Sequence, residues 1–393
     1  MLSLNRTGVK VEIDRFFKFL SKDSSDIATY SSSAYSQARK KLNHNVFIHL
    51  RDKHLEYFDT NATVKKNWNN YRVVAIDGSS LNLPNELTLR EYFGETKNQN
   101  SKPSTVAKIS IAYDVCNQLV LDASIDKYGT SEQSLAINHL DKLTPNTDVL
   151  VFDRGYPSLA FAQDLDQKGF KFCFRLSTAW KEAYQLLENQ EDIDWYLPKG
   201  KRYKLLNGEG KESVLEADIE NFRLVSITLP NGTKEVLLTN LNDRNKFTIQ
   251  SLNELYKMRW SIEECYKKLK QVGQVEYFSG RTVEAIKQDF YSRIVMLNIA
   301  SMIETQCVQP IIETTERKRK NKPKHPKQAN RTQIWAKIKD FMYDIFFSEN
   351  RKEAINKMLH FMYTCYDIVR PNRSFERNKG YKTKRKPLTY KAF

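Results

Sequence analysis

Between Tyr71 and Leu176 the chain alternates β-branched runs with helix-forming stretches, and two of the runs close on an aspartate. YRVVAID ends at Asp77. KISIAYDV and QLVLDASID follow, joined by a short turn around Cys116–Asn117, and so form a hairpin. SEQSLAINHLDKL has the pattern of a helix, and DVLVFDRGY is a buried strand ending at Asp153. PSLAFAQDLDQKG is a second helix, with Pro157 near its first turn and Gly169 as its stop, and FKFCFRL is a last strand carrying Arg175. This order predicts a mixed α/β (α+β) sheet with two acids at the carboxyl ends of strands, where open α/β sheets place their sites. Either acid alone reads as a turn residue, since Asp77-Gly78 and Asp153-Arg154-Gly155 are both turn-like.

The flanks differ in character. Residues 1–70 are polar and helical, with Ile13, Phe16, Phe17 and Leu20 on one side of a first amphipathic helix. Ser31 to Ser33 are candidate N-caps of a following helix expected to expose Ser36, Gln37, Arg39 and Lys40. These features fit a helix-turn-helix that reads a major groove, and equally an ordinary helical subdomain with a solvated face. His44, His49 and His54 recur in steps of five, a rotation of about 140° on a helix, so they do not form a metal-binding face. Residues 177–245 interrupt the α/β pattern with RYKLL, FRLVSITL and KEVLLTNL, a β-rich insertion with a helical lead-in. Helical pattern resumes over 246–312. Residues 313–393 then hold a Pro-broken basic linker, two helical segments (TQIWAKIKDFMYDIFF and RKEAINKMLHFMYTCYDIV) and a basic tail from Arg370.

Composition narrows the functional classes. The 63 Lys+Arg exceed the 47 Asp+Glu for a formal charge of +16, which points to a polyanionic partner. Residues 314–331 and 370–393 carry nearly all of this excess, at +7 and +8, so the charge marks two segments suited to phosphate contacts. The five cysteines are scattered and form no C-x-x-C pair, the pattern of reduced thiols in a cytoplasm. No secretory signal is expected, and Ser292–Ile312, interrupted by Asn298, Ser301, Glu304 and Gln306, reads as a buried helix and no membrane span.

The most informative segment is LYKMRWSIEECYKKLKQ, residues 255–271. At helical spacing Tyr256, Arg259, Glu263, Lys267 and Lys270 share an arc of roughly 80°, beside a core stripe of Leu255, Ile262, Cys265, Leu269 and Val272. Charged faces are commonly i,i+4 pairs worth about 0.2–0.5 kcal/mol each. Here, however, the acid has two strand-end aspartates for company. Asp77, Asp153 and Glu263 together make a plausible hard-cation site, suited to two Mg²⁺ ions with Mn²⁺ as substitute. The neighbouring bases would hold a phosphate backbone and Tyr256 a strand end.

The strands VVAIDGSSLNLP and VLVFDRGYPS, with the Y-x2-R-x3-E-x6-K spacing at Tyr256, Arg259, Glu263 and Lys270, resemble the DDE transposases of the bacterial insertion-sequence-four family. The resemblance covers roughly residues 70–300. It implies an RNase H-like catalytic core with a β-rich insertion between the second Asp and the Glu. It implies Asp77, Asp153 and Glu263 as catalytic magnesium ligands and Tyr256, Arg259 and Lys270 as contacts to the transposon end, with Arg175 at a position where relatives often keep a base. Terminal inverted repeats on double-stranded DNA, a target DNA and a homodimer in the DNA complex are the partners implied, with Arg39 and Lys40 in the end-binding region, in a bacterial cytoplasm at the nucleoid and without a membrane. Relatives that cut through a hairpin are thought to flip a base onto an aromatic of the insertion. No Trp lies between Trp195 and Trp260, so Tyr203 and Phe222 are the candidates. An RNase H-fold nuclease and a catalytically silent DNA binder are the alternative readings, and a basic membrane-surface protein ranks last.

Overall fold

A computed structural model describes residues 8–21, 30–62, 65–96, 103–188, 190–200, 202–203, 213–214, 218–229, 232–317 and 327–368. The basic tail from Arg370 and the basic run 318–326 lie outside these residues. In chain order the elements begin with helices α1 (Val9–Leu20), α2 (Ser32–Lys40) and α3 (Asn45–Asn61), then strand β1 (Arg72–Asn82) and helix α4 (Leu87–Phe93). Strands β2 (Glu95–Thr96), β3 (Ser104–Asp114) and β4 (Leu119–Lys127) precede α5 (Glu132–His139), β5 (Asp148–Phe152), α6 (Leu159–Gln167), β6 (Lys171–Arg175) and α7 (Lys181–Leu186). Next come β7 (Asp192–Leu197), the short β8 (Arg202–Tyr203) and β9 (Ser213–Val214), β10 (Ile219–Thr228) and β11 (Lys234–Thr239). Helices α8 (Ile249–Met258), α9 (Trp260–Lys267) and α10 (Val283–Arg317), strand β12 (Lys327–Ala329), helices α11 (Arg331–Phe347) and α12 (Arg351–Tyr363) and strand β13 (Tyr366–Ile368) complete the chain.

These elements form two compact units. One comprises Phe58–Ser80 and Lys108–Tyr266, the other Met1–Tyr57, Leu81–Ala107 and Lys267–Phe393. In the first, the sheet runs in the order β3-β1-β5-β6-β11-β10-β7, with β4 on the far side of β3. β1 and β5 are parallel from Arg72↔Asp148 to Ala75↔Val151, and β5 and β6 are parallel from Val149↔Lys171 to Phe152↔Phe174. Both central strands are covered on two faces, which is why VVAI and VLVF are unbroken apolar runs and not alternating ones. A hairpin (β3–β4) on one side of β1 and parallel strands reached through α5 and α6 on the other is the RNase H-like arrangement. The stretch 177–245 extends this sheet, because β11 pairs antiparallel with β6, β10 with β11 and β7 with β10.

Several local expectations change. β1 does not stop at Asp77. It runs on through Gly78-Ser79-Ser80 to Asn82, so the residues expected to turn are extended. The helix expected over 255–271 is interrupted: α8 ends at Met258, α9 starts at Trp260, and Lys268–Val272 form a π-helical turn. The core stripe survives the break, with Leu255, Ile262, Cys265 and Leu269 fully buried. α10 continues past Ile312 to Arg317, and β12 pairs with β13 inside what reads as linker and helix end.

In the second unit α2 is capped by Ser31, whose hydroxyl accepts the Ala34 N–H at 3.0 Å. Phe16 of α1 packs against Tyr343 and Phe347 of α11 at ring-centroid distances of 5.7 and 5.4 Å. α10 is long but carries buried Gln288, Asp289, Ser292, Arg293 and Asn298, and no described helix is long and apolar enough to cross a membrane.

Candidate active site

The first unit brings two strands, two helix ends and a loop to one place. Continuing the β1–β5 register two residues beyond Ala75↔Val151 sets Asp77 level with Asp153 on the adjacent strand. Asp77 is held by its main chain: its carbonyl accepts the Tyr266 hydroxyl at 2.6 Å and the Ser110 hydroxyl at 3.3 Å. Its carboxylate accepts the Gly78 N–H at 2.9 Å. Asp153 lies just past β5, where its carboxylate accepts the Arg154 N–H at 2.7 Å and the Tyr256 hydroxyl at 3.4 Å, with Arg175 Nη1 at 3.9 Å.

From the helical side come Tyr256, Arg259 and Glu263. The α8–α9 break falls on Arg259, which is buried and donates to Glu263 Oε1 at 3.2 Å. Its guanidinium lies 5.7 Å from the Tyr256 ring centroid and 5.3 Å from that of Trp260. Burial works against the Arg259 charge, and Tyr256, Asp153, Glu263 and Asp77 together outweigh it. One guanidinium is therefore coupled to all three predicted acids. Arg175 sits on the other flank, paired with Glu235 at 2.5 Å.

Two polar atoms here have no protein partner: the Arg259 Nε and the hydroxyl of Tyr156, a residue 1% exposed. Burial, then the charges of Asp77, Glu132 and Asp153, push that phenol far above its ordinary range. Burial likewise lifts the Asp77 carboxyl to about 6, with the charges of Glu132 and Asp153 adding to it and the Gly78 N–H and Arg259 opposing it. Asp77 at neutral pH is thus an acid that gains from a nearby cation.

Among the described residues no three His, Cys, Asp or Glu side chains converge closely enough to hold an ion unaided. The donor chemistry nevertheless suits Mg²⁺, which takes one or two carboxylates and keeps several waters. The Tyr156 hydroxyl, buried without a protein partner and under the charges of Asp77, Glu132 and Asp153, likewise fits a hydrated cation.

The predicted residues divide between the units. Asp77, Asp153, Glu263, Tyr256, Arg259 and Arg175 lie in the first. Lys267, exposed, and Lys270, partly buried and pushed below the ordinary lysine range by that burial, belong to the second. Lys40 is exposed, but the expectation that Arg39 is exposed fails. Arg39 is buried, and its guanidinium donates to Gln288, Ser279, the Ala285 carbonyl and Asp289. A polar-looking helix face in the sequence had no way of announcing a buried acid some 250 residues away. Of the aromatics proposed for a flipped base, Phe222 is buried against Phe172 at 5.5 Å, and the side chain of Tyr203 lies outside those described.

Two further groups escaped the sequence. Glu132 at the start of α5 pairs with Lys108 of β3 at 2.6 Å. His139 sits between Asp122 (Nδ1 to Oδ2, 2.6 Å) and Ser110 (Nε2 to Oγ, 3.0 Å). Those are the residues of a hydrolase triad, but Ser110 is fully buried and its hydroxyl is bonded to the Asp77 carbonyl. The trio therefore braces β1 beneath Asp77 and receives no substrate.

Known proteins bear on this site. The chain is 24% identical over 287 residues to the transposase InsG for insertion sequence element IS4 of Escherichia coli (strain K12), covering 68% of this chain and 60% of that protein. It is 21% identical over 235 residues to the transposase for insertion sequence element IS231B of Bacillus thuringiensis subsp. berliner, covering 49% of each. The chain thus spans between half and three-fifths of these relatives' lengths. A cryo-EM structure of the piggyBac transposase synaptic complex with hairpin DNA aligns with a TM-score of 0.40 and 12% identity, over 77% of this chain and 59% of that one. The model of the transposase DDE domain matches residues 68–299, more than half of the chain and all of the site just described, so the chain belongs to the DDE transposases of the insertion-sequence-four family.

Proposed function

We propose that this chain is a DNA transposase that cleaves insertion-element ends by metal-dependent phosphodiester hydrolysis and joins the freed 3′-hydroxyls to target DNA. The observation that carries the reading is the parallel register of β1 and β5 up to Ala75↔Val151, which brings Asp77 and Asp153 to neighbouring positions, with both coupled electrostatically to Arg259, itself bonded to Glu263. Asp77, Asp153 and Glu263 supply the carboxylates for divalent cations, Mg²⁺ or Mn²⁺. When bound, such ions activate the attacking oxygen and stabilise the leaving oxygen of an in-line displacement.

The chain's own residues do the rest. Arg259 meets the negative charge that builds on the non-bridging oxygens, in a site where burial strengthens it. Tyr256, fixed by Asp153, orients the strand end, and Arg175, Lys267 and Lys270 hold phosphates. The helical segment 1–70, with Lys40 on its surface, contacts the terminal inverted repeats, and the basic segments 314–331 and 370–393 add non-specific grip. A homodimer across two element ends is the assembly we propose.

The test is a cleavage and strand-transfer assay on DNA carrying matched inverted repeats. Asp77→Ala, Asp153→Ala and Glu263→Ala are each expected to reduce cleavage to background while end binding remains measurable by mobility shift. Unchanged Mg²⁺-dependent nicking by all three would overturn the assignment. Cleavage by the unaltered protein without joining would leave a nuclease on the same core.

A further inference from the structure

Glu132 heads α5 and has no role in the reading above, yet it touches the chain beside both strand acids. A Cβ on Gly78, the residue after Asp77, would stand 2.9 Å from Glu132 Oε1. A Cβ on Gly155, two residues after Asp153, would stand 3.6 Å from Glu132 Oε2. The carboxylate therefore lies over the two glycines that flank the acidic pair. The absent side chain at 78 makes the room it occupies, while at 155 a Cβ would stand in ordinary contact with it. Its positive partner is the Lys108 ammonium at 2.6 Å, a side chain 19% exposed.

A second, independent feature points to a ligand at the same spot. The Tyr156 hydroxyl is buried and has no protein partner, and the acids acting on it are Asp77, Glu132 and Asp153. Buried hydroxyls are nearly always satisfied, so one left without a protein partner within electrostatic reach of three carboxylates suits a water or a hydrated ion.

We propose that Glu132 is a fourth carboxylate of the divalent-cation centre and that the Tyr156 hydroxyl binds the water shell of the same ion. This rests on the metal-dependent reading given above. Glu132 would act as a positioning residue toward the ion's water shell, and Lys108, paired with it at 2.6 Å, supplies the opposing charge within the chain. Groups that orient a metal's ligands in this way commonly govern affinity by roughly 10–100-fold.

The experiment is calorimetric titration of the full chain, free of DNA, with Mn²⁺. Glu132→Gln, which keeps shape and the hydrogen bond to Lys108, is expected to weaken Mn²⁺ binding about 10-fold or more. Tyr156→Phe is expected to give a smaller loss, and Lys108→Met to bind at least as tightly as the unaltered chain. Wild-type affinity in Glu132→Gln overturns the proposal. Equal weakening by Glu132→Gln and Lys108→Met also overturns it, since the pair would then serve only to hold α5 against β3. If Glu132→Gln does not fold, Glu132→Asp carries the test: a several-fold loss is expected, and unchanged affinity overturns the proposal. Asp77→Asn separates the two readings. Its failure to bind Mn²⁺ beside a normal Glu132→Gln removes only the role of Glu132, whereas unchanged binding in both removes the metal reading itself.

Discussion

Arg39 in the helical unit and Arg259 beside the acids are equally hidden from solvent, 7% and 3% exposed, and are partnered in opposite ways. Every nitrogen of the Arg39 guanidinium has an acceptor, from Gln288, Ser279, the Ala285 carbonyl or Asp289. Arg259 has one side-chain hydrogen bond, to an acid that is itself 37% exposed, and its Nε has none. Five buried side-chain atoms among the described residues lack a partner, and two of them, Arg259 Nε and the Tyr156 hydroxyl, lie at the acidic pair. A saturated buried charge is architecture. A buried charge left short of partners keeps a donor available to a group from outside the chain.

The sharpest way to break this contrast is to replace each arginine with methionine, which keeps the bulk and removes the charge. Arg39→Met removes the guanidinium paired with Asp289, 6% exposed, leaving that carboxylate the Ser279 N–H and hydroxyl, and is expected to cost about 3–5 kcal/mol in chemical denaturation. Arg259→Met takes a cation from Asp77 and Asp153 but relieves an unsatisfied donor and leaves Glu263 free to meet solvent, so its stability should fall by less than that of Arg39→Met. Its cleavage activity should nonetheless fall by roughly 100-fold or more, the scale of losing one charge-stabilising donor. Equal destabilisation by the two substitutions would erase the distinction.

A smaller effect sharpens it further. With its carboxyl lifted from 3.8 to about 6, Asp77 binds more protons in the folded chain than in the unfolded one across that interval. Stability of the metal-free protein therefore falls as pH rises from about 4 to 6 on account of this group. Asp77→Asn removes the titration, so its melting temperature should overtake that of the unaltered chain across this window, with the gap constant above about pH 7. A gap that stays flat from pH 4 to 7 would mean that the pocket does not penalise the charge.

The legible and illegible parts of the molecule divide along physical lines. β5 could be read because all five of its residues are buried, and such runs admit few other structures. The second half of β1 could not, because Gly78-Ser79-Ser80 are turn formers by composition and are extended here by the strand they belong to. The Tyr256, Arg259 and Glu263 spacing assumes one continuous helix, and the helix is in fact broken at Arg259. The residues on either side of the break keep their faces closely enough for the spacing to survive it. Glu132 was invisible because an acid in a helix's first turn is the ordinary complement to the helix dipole. What bears on it is a glycine one residue after Asp77 and two after Asp153, which matters only once the carboxylate beside them is known.

The contact between Gly78 and Glu132 also has a consequence for substitution. Position 78 cannot acquire even a methyl group unless the side chain at 132 retracts, since the first new atom would meet three atoms of the glutamate at 2.9 to 3.1 Å. That retraction is open to a flexible side chain 34% exposed, so Gly78→Ala should displace the Glu132 carboxylate without unfolding the chain, and shortening it by Glu132→Asp should accommodate the added methyl.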